Sequence, residues 1–460
     1  MLEIRLAFED SMAMRTEALR AQLSRAAAAR PDSFLLSLWV SLLAGTATFD
    51  DFLQGVRKQR QLTYLTIDTT GACDLTCAQM CYYHPDISLR KKLVPESVLT
   101  DAIRQAAAEL SMRVLAFAGK EPFLNPERLF SLLKFAGAVP ERDFVIGLVT
   151  NGRHVARHAE RLRKAAEEGC LDYADVSIDT ASADEHDRFR GIAGTHRLAT
   201  DAVKWLNKEL QNVRTTVVSV LRWENQQGIL DLIQSLAAQN VHYQIQPIQP
   251  PPYSTIRPLS ADFIVGFLRR LTDTLSGPLH GAGIRVAIEL LGIYLLEAVQ
   301  AGMFDWSDLR EDENQALYVE QLVGGNTLII TCELFPLQAW RLARITYNGA
   351  YLAHMHFLQS PDPDQFAVGF LGEESIGTLF DRATGTGSHF ARILQSRTDH
   401  DCMSRPCWWN CFGGWNGAEN AFLELGPRLS KQPRLCTKTE ENFVRLESEI
   451  AHAAPTENAH

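Results

Sequence analysis

The sequence has no apolar run long enough to cross a membrane. A spanning helix needs about 20 mostly apolar residues, and the best candidate, residues 34–45, is shorter and has no basic flank. The first residues also lack the basic, apolar and small-residue pattern of a secretory signal peptide. We therefore predict a cytoplasmic protein without a membrane partner, in which residues 34–45 form a buried helix.

Positive charge is also in short supply. The chain has 45 Lys and Arg against 55 Asp and Glu, which gives a net charge of −10 at pH 7. A nucleic-acid-binding surface needs clustered positive charge. The two short basic segments, residues 57–61 and 161–164, are explained more simply as solvated helix faces or a linker. The charge balance argues against a nucleic-acid partner.

Cysteine is scarce and unevenly placed. The 460 residues include nine cysteines, an odd number, and three of them (Cys73, Cys77 and Cys81) fall within nine residues. A second group lies far downstream: Cys332, Cys402, Cys407, Cys411 and Cys436. Grouped thiols do not fit the disulfide framework of a secreted protein and favour metal binding in a reducing compartment.

From about residue 62, short apolar runs alternate with amphipathic segments of helical periodicity. Six runs are predicted as strands: 64–70, 113–119, 144–152, 174–180, 214–221 and 241–248. The segments between them are long enough to be crossover helices, which join parallel strands. The pattern predicts an α/β fold, a partial (β/α)6 barrel of the TIM type. The three clustered cysteines follow its first strand, where such barrels place their active face.

The rest of the chain suggests further units. A Pro-rich segment, residues 247–253, breaks the alternation and is predicted to end the barrel. The predicted organisation is a helical N-terminal segment (1–60), the barrel core (61–255), a helical connector (256–330), a cysteine-rich cluster domain (331–440) and a C-terminal tail (441–460).

The cysteine loop after the first strand resembles the cluster motif of the radical S-adenosylmethionine (SAM) superfamily. Three cysteinates can hold three irons of a [4Fe–4S] cluster and leave the fourth open to a ligand. The family usually spaces its cysteines CxxxCxxC, whereas Cys73, Cys77 and Cys81 read CxxxCxxxC. The resemblance implies that these three residues bind a [4Fe–4S] cluster.

Three more strand ends resemble the same family in order and spacing. Residues 118–126 resemble its GGEPLL motif, with Lys120 in place of the second glycine, and 148–152 and 176–191 resemble its TNG and SID segments. Taken singly, each string is an ordinary turn or helix cap. The resemblance implies SAM contacts by Tyr82, Gly119, Glu121, Asn151, Ser177 and Asp179.

The downstream cysteines resemble the SPASM and twitch extensions of radical SAM enzymes, which hold auxiliary iron–sulfur clusters. His354 stands where that pattern has a cysteine, and His356 is close by. The implied candidate ligands are Cys332, Cys402, Cys407, Cys411, Cys436 and His354. A structural zinc site is the alternative, because four Cys or His ligands also suit tetrahedral zinc.

Two other features are predicted to be structural. Cys170 has no cysteine neighbour in the sequence and is expected to be a small buried hydrophobic residue. The histidines of 154–164 fall on a predicted helix and are expected at the surface instead of on a metal.

The resemblance implies a radical SAM enzyme that reductively cleaves SAM to a 5′-deoxyadenosyl radical, which abstracts a hydrogen atom from a peptide or a small polar metabolite. An electron donor such as flavodoxin or ferredoxin is implied as a partner. Oxidoreductase, epimerase, decarboxylase and peptide-modifying outcomes all stay open. The alternative is a barrel that has lost SAM cleavage and keeps a structural zinc or iron–sulfur site.

Overall fold

The fold is described from a computed structural model. It describes residues 60–77, 92–248 and 259–291, most of 294–311, 317–333, 341–353 and 357–385, together with Cys81, Tyr83 and isolated positions before Arg60. The predicted N-terminal helical segment lies largely outside the described residues. In the part of the chain that is described, we find no helix of the length and apolar character needed to cross a membrane.

Seven parallel strands form the centre of the structure. They are β1 (Tyr64–Asp68), β2 (Val114–Ala118), β3 (Val145–Thr150), β4 (Tyr173–Ser177), β5 (Arg214–Leu221), β6 (His242–Pro247) and β7 (Arg285–Leu291). Five more strands join them: β8 (Leu309–Glu311), β9 (Leu317–Val323), β10 (Asn326–Glu333), β11 (Leu342–Ile345) and β12 (Tyr351–Leu352). The six strands predicted from the sequence correspond to β1–β6.

Helices lie between the described strands, and one more follows the last strand. They are α1 (Glu96–Glu109), α2 (Pro126–Gly137), α3 (Ala159–Glu167), α4 (Ala183–Arg190), α5 (Thr195–Glu209), α6 (Gln226–Ser235), α7 (Ala261–Ser276) and α8 (Ile376–Ala383). In α1, Leu99, Ile103 and Ala106 share one face and are buried against the sheet. Each fully buried Leu or Ile side chain contributes roughly 1.5–3 kcal/mol.

The twelve strands form one open sheet in the order β12-β11-β1-β2-β3-β4-β5-β6-β7-β10-β9-β8. Strands β1 to β7 pair in parallel, β11 is parallel to β1, and β10 is parallel to β7. The sheet does not close on itself, so the predicted α/β fold with a partial TIM-type barrel is confirmed. Since the core strands run the same way, their carboxyl ends share one edge.

Two parts of the predicted organisation are wrong. The segment 256–330, predicted as a helical connector, contains α7 but also β7, β8, β9 and the start of β10. The Pro-rich segment does not end the parallel sheet, because β7 pairs in parallel with β6 beyond it. Within β7, buried Val286, Ile288 and Leu290 alternate with less buried residues, which is the period of a strand and not of a helix.

The predicted boundary at residue 330 also falls inside a strand. β10 runs across it, and β11, from within the predicted cluster domain 331–440, pairs with β1 through residues such as Arg344, opposite Thr66. The residues of β11 therefore belong to the central sheet. Residues 386–460, including the predicted tail, lie outside the described residues.

Candidate functional site

The cysteine loop leaves the sheet at the carboxyl end of β1. Cys73, Cys77 and Cys81 are half-buried thiols that form no disulfide. The charge of Cys77 acts on Cys73 and that of Cys81 acts on Cys77, so the three sulfurs are neighbours in space. Leu75 N donates to Cys73 Sγ at 3.4 Å. The structure thus brings together the three residues predicted as cluster ligands.

Burial makes the thiols of Cys73 and Cys77 weaker acids than usual. It raises the pKa of Cys73 to about 12 and also raises that of Cys77, where Arg190 acts in the opposite direction. Metals bind the thiolate, so binding must displace a proton from each sulfur. Among the described residues, no three His, Cys, Asp or Glu side chains converge on a single metal ion. A [4Fe–4S] cluster does not require that convergence, because each thiolate binds a different iron, and the donor set fits it.

The loop after β2 packs directly against the cysteine loop. Glu121 N donates to Ala72 O at 3.0 Å. The Glu121 side chain is fully buried and accepts from Thr150 Oγ1 and Asn151 N, each at 2.9 Å, and from Phe123 N at 3.3 Å. Burial raises the pKa of Glu121 to about 7 although these donors lower it. Glu121, which is predicted to contact SAM, therefore links the ends of β1, β2 and β3 through its hydrogen bonds.

Gly119 approaches the same loop as bare backbone. Its φ is +130°, and a Cβ atom there would lie 2.8 Å from Thr70 O. We expect Gly119→Ala to lower the free energy of unfolding by about 2–4 kcal/mol, since backbone strain and a steric clash add together. Urea denaturation measures the loss. Gly169→Ala is the matched control, because Gly169 has a φ of +68° but open space around it. Equal losses in the two variants would contradict the proposed close approach.

The end of β3 is joined to the cysteine loop through Asp74. The Asp74 carboxylate accepts from Asn151 Nδ2 at 3.0 Å, ion-pairs with Arg153, and lies 2.9 Å from His154 Nε2. Asn151, predicted as a SAM contact, is thus held by protein groups on both its side chain and its backbone. Asp74 and Arg153 were not predicted as site residues from the sequence. The available signal was the position of Asp74 directly after the predicted ligand Cys73.

The end of β4 supplies a buried ion pair. Asp179 is fully buried and accepts from Arg190 Nε at 2.8 Å and Nη2 at 3.0 Å. Burial alone would raise the pKa of Asp179, but Arg190, His186 and Arg222 hold it below its usual value. Both carboxylate oxygens of Asp179, which is predicted to contact SAM, therefore accept hydrogen bonds from Arg190.

Arg190 also connects this ion pair to the cluster loop. Its side chain lies within hydrogen-bond reach of Cys77, and its carbonyl accepts from Thr76 N at 3.2 Å. The next residue, Gly191, has a φ of +76° and ends α4, and a Cβ there would collide with Thr76. Ser177, the remaining predicted contact of β4, is half-buried. Tyr82 lies outside the described residues.

Residues 67–236, which contain all these loops, match the Radical SAM superfamily. This stretch of the chain is a radical SAM domain. That family uses a [4Fe–4S] cluster and SAM, the cofactors that the cysteine loop was predicted to bind. The matched residues end before β6, so they do not include the region predicted as a SPASM-like domain.

Curated relatives match the same part of the chain. The GTP 3′,8-cyclase of Clostridium perfringens (strain 13 / Type A) is 27% identical over 182 residues, which are 39% of this chain and 53% of that protein. The chain spans about half or less of the length of the curated relatives it matches.

Solved structures share the fold over a larger part of the chain. Streptococcus suis SuiB bound to S-adenosylmethionine has a TM-score of 0.55 at 13% identity and covers 79% of this chain and 75% of its own. Native anSMEcpe with bound AdoMet and a Cp18Cys peptide has a TM-score of 0.54 at 16% identity, covering 84% and 99%. At these identities the likeness shows the fold alone.

One group of hydrogen-bonded side chains beside the cysteine loop was not predicted from the sequence. Arg344 Nη2, on β11, donates to Asp68 Oδ1 at 2.6 Å and to Tyr83 Oη at 2.7 Å. The Tyr83 hydroxyl in turn donates to Asp68 Oδ2 at 2.7 Å, and Lys120 Nζ lies 5.5 Å from the Tyr83 ring centroid. A residue far along the chain thus closes the cysteine loop onto β1. Sequence spacing carries no signal for this contact.

The other predicted residues are placed as follows. Cys332 lies in β10, where it is paired with Leu290 and Leu317. Cys170 is buried, which confirms its prediction as a small buried residue. His154 and His158, expected at the surface and not on a metal, are half-buried, and the His158 ring stacks on the Phe123 ring with 5.3 Å between the ring centroids. The remaining auxiliary candidates lie outside the described residues: His354, His356, Cys402, Cys407, Cys411 and Cys436.

Proposed function

We propose that this chain is an enzyme that reductively cleaves SAM and uses the resulting radical to abstract a hydrogen atom from its substrate. The observation that carries the proposal is the cysteine loop. Cys73, Cys77 and Cys81 bring three thiols together at the carboxyl end of β1, where the neighbouring loops of a radical SAM domain are bonded to it. When bound, the reduced cluster supplies one electron to the sulfonium of SAM and thereby the 5′-deoxyadenosyl radical.

The protein's own groups would position the cofactors and exclude water. The three thiolates hold the cluster, with Arg190 offsetting the negative charge of Cys77. Asp74 and Glu121 fix the loop against the ends of β2 and β3 through buried or half-buried bonds. Such fixed partners keep a binding site ordered at little further entropy cost. We assign SAM contacts to the loop with Gly119 and Glu121, to Tyr82, and to the ends of β3 and β4, which carry Asn151, Ser177 and Asp179.

The substrate is proposed to be a peptide or a small polar metabolite. A peptide is supported by the fold shared with anSMEcpe, which is described with a bound peptide. A nucleotide-like metabolite is supported by the relatives that are GTP 3′,8-cyclases. An electron donor such as flavodoxin or ferredoxin would reduce the cluster.

We also propose an auxiliary iron–sulfur cluster, with ligands among Cys332, His354, Cys402, Cys407, Cys411 and Cys436. Its support is the sequence resemblance to SPASM and twitch domains. A structural zinc site is the competing assignment, because such a group of thiols also suits tetrahedral zinc.

Anaerobic reconstitution tests the proposal. We expect a brown protein with about four irons for each [4Fe–4S] cluster, and production of 5′-deoxyadenosine when SAM and dithionite are added. The measurements are iron and sulfide content and chromatographic quantification of 5′-deoxyadenosine. A colourless protein that binds zinc and leaves SAM intact would support the alternative, a radical SAM-like barrel that has lost SAM cleavage.

A further inference from the structure

The concave side of the open sheet carries polar side chains where a parallel sheet is usually apolar. On β6, Gln244 and Gln246 alternate with buried Tyr243 and Ile245, which pack under the helices. Successive strand side chains face opposite sides, so both glutamines lie on the concave side. Glu289 on β7 follows the same alternation between buried Ile288 and Leu290.

Glu289 is held by the two glutamines. Its Oε1 accepts from Gln246 Nε2 at 3.1 Å and also from Gln244 Nε2. Burial raises the pKa of Glu289, the two amide donors lower it, and no cation among the described residues adds to their effect. The glutamines therefore orient the carboxylate through one oxygen and leave Oε2 without a bond to a described residue.

A second carboxylate lies in the same concavity. Asp175 on β4 is half-buried, and burial raises its pKa to about 6, with the charge of Glu289 acting in the same direction. Thr216 and Arg214 act against that rise, but no described residue forms an ion pair with Asp175. Two desolvated carboxylates near each other are costly unless a positive group neutralises them. Among the described residues, Arg214 acts on Asp175 without forming an ion pair, and no cation acts on Glu289, so the two carboxylates are not neutralised by an ion pair within the described chain.

We propose that Glu289, Gln244, Gln246 and Asp175 form a subsite that binds a primary ammonium group of the substrate. The atoms there that accept no hydrogen bond from a described residue are Glu289 Oε2 and the two glutamine carbonyl oxygens. The Asp175 carboxylate accepts from the Thr216 side chain and keeps further lone pairs for a donor. An ammonium group has three donors and no acceptor, and its charge offsets that of the two carboxylates. The inference rests on the proposed function only in taking the concave side as the substrate side.

The ammonium group has two sources within the proposed substrate classes. It can belong to a lysine side chain of a peptide or to an amino sugar. The shared chemistry is tested with N-acetyl-Gly-Lys-Gly-amide and glucosamine as the probes, and with norleucine-containing peptide and glucose as their neutral counterparts. The probe that binds more tightly identifies the source.

Isothermal titration of the reconstituted full-length protein measures these affinities without any need for SAM cleavage. We expect at least one ammonium probe to bind at least tenfold more tightly than its neutral counterpart, and Glu289→Gln to weaken that probe at least tenfold. The matched control is Glu320→Gln, the same substitution on β9 at a residue near Arg285, and it should bind like the wild type.

Asp175→Asn is the second variant, in case Glu289→Gln does not fold, and it should also weaken the ammonium probe. The proposal is overturned if neither ammonium probe binds better than its neutral counterpart, or if folded Glu289→Gln or Asp175→Asn protein binds like the wild type. Failure of the proposed function would appear differently, as intact SAM in the wild-type cleavage assay, whatever the titrations give.

Discussion

Alanine in place of Cys73, Cys77 or Cys81 is expected to abolish formation of 5′-deoxyadenosine from SAM. Each of the three thiols binds one iron in the proposed site, and the loop offers no other described Cys or His to replace a missing ligand. Loss of one ligand should remove the cluster that delivers the electron. We expect activity to fall by at least about a hundredfold, the upper range found when metal-site partners are removed.

The fold should survive these substitutions, because the three thiols are half-buried and lie outside the apolar core. Circular dichroism and urea denaturation would confirm this. Cys170→Ala is the control variant. Cys170 is a buried thiol between α3 and β4, and its loss should leave iron content and activity unchanged at a cost of about 1 kcal/mol in stability. A single loop variant that cleaves SAM at the wild-type rate would refute the ligand assignment.

Alanine in place of Arg190 is expected to destabilise the protein by about 3–5 kcal/mol, the range for removing one partner of a buried ion pair. Asp179 has no exposure to solvent and takes two hydrogen bonds from the guanidinium. Without Arg190, the Asp179 carboxylate would stay buried without these two hydrogen bonds and without the adjacent positive charge. Urea denaturation at pH 7 measures the loss. Because the same guanidinium lies beside Cys77, we also expect weaker iron retention.

Two further variants separate the ion pair from a general effect on α4. Arg188→Ala changes an exposed arginine of the same helix and should change stability by less than about 0.5 kcal/mol. Asp179→Asn combined with Arg190→Ala should recover part of the loss, because the unpaired charge is gone. A loss below about 1 kcal/mol for Arg190→Ala would contradict the proposed burial cost.

The same pair gives a pH dependence with a defined sign. The folded protein holds the pKa of Asp179 below its usual value of 3.8. The stabilisation by the pair is therefore complete above pH 3.8 and is lost as the pH falls through the lower folded-state pKa. In the Asp179→Asn variant, this part of the acid sensitivity should be absent.

The repeating part of the fold could be predicted from the sequence. Apolar runs with strand periodicity, separated by amphipathic helices, predicted β1 to β6 and an open barrel, because local alternation and helical spacing report directly which face is buried. The three cysteines and the glycine at 119 were also readable. Their chemistry depends on residue type and short spacing.

The contacts of the polar residues at the strand ends depend on tertiary structure. Glu121, Asn151 and Asp179 are predicted to contact SAM, and the structure shows that their side chains also bond to other protein groups. The pairing of Asp68 with Arg344 joins residues 276 positions apart, a separation over which sequence pattern carries no contact information. Local periodicity sets secondary structure, whereas the partners of buried charges are set by the sheet order that brings distant strands together.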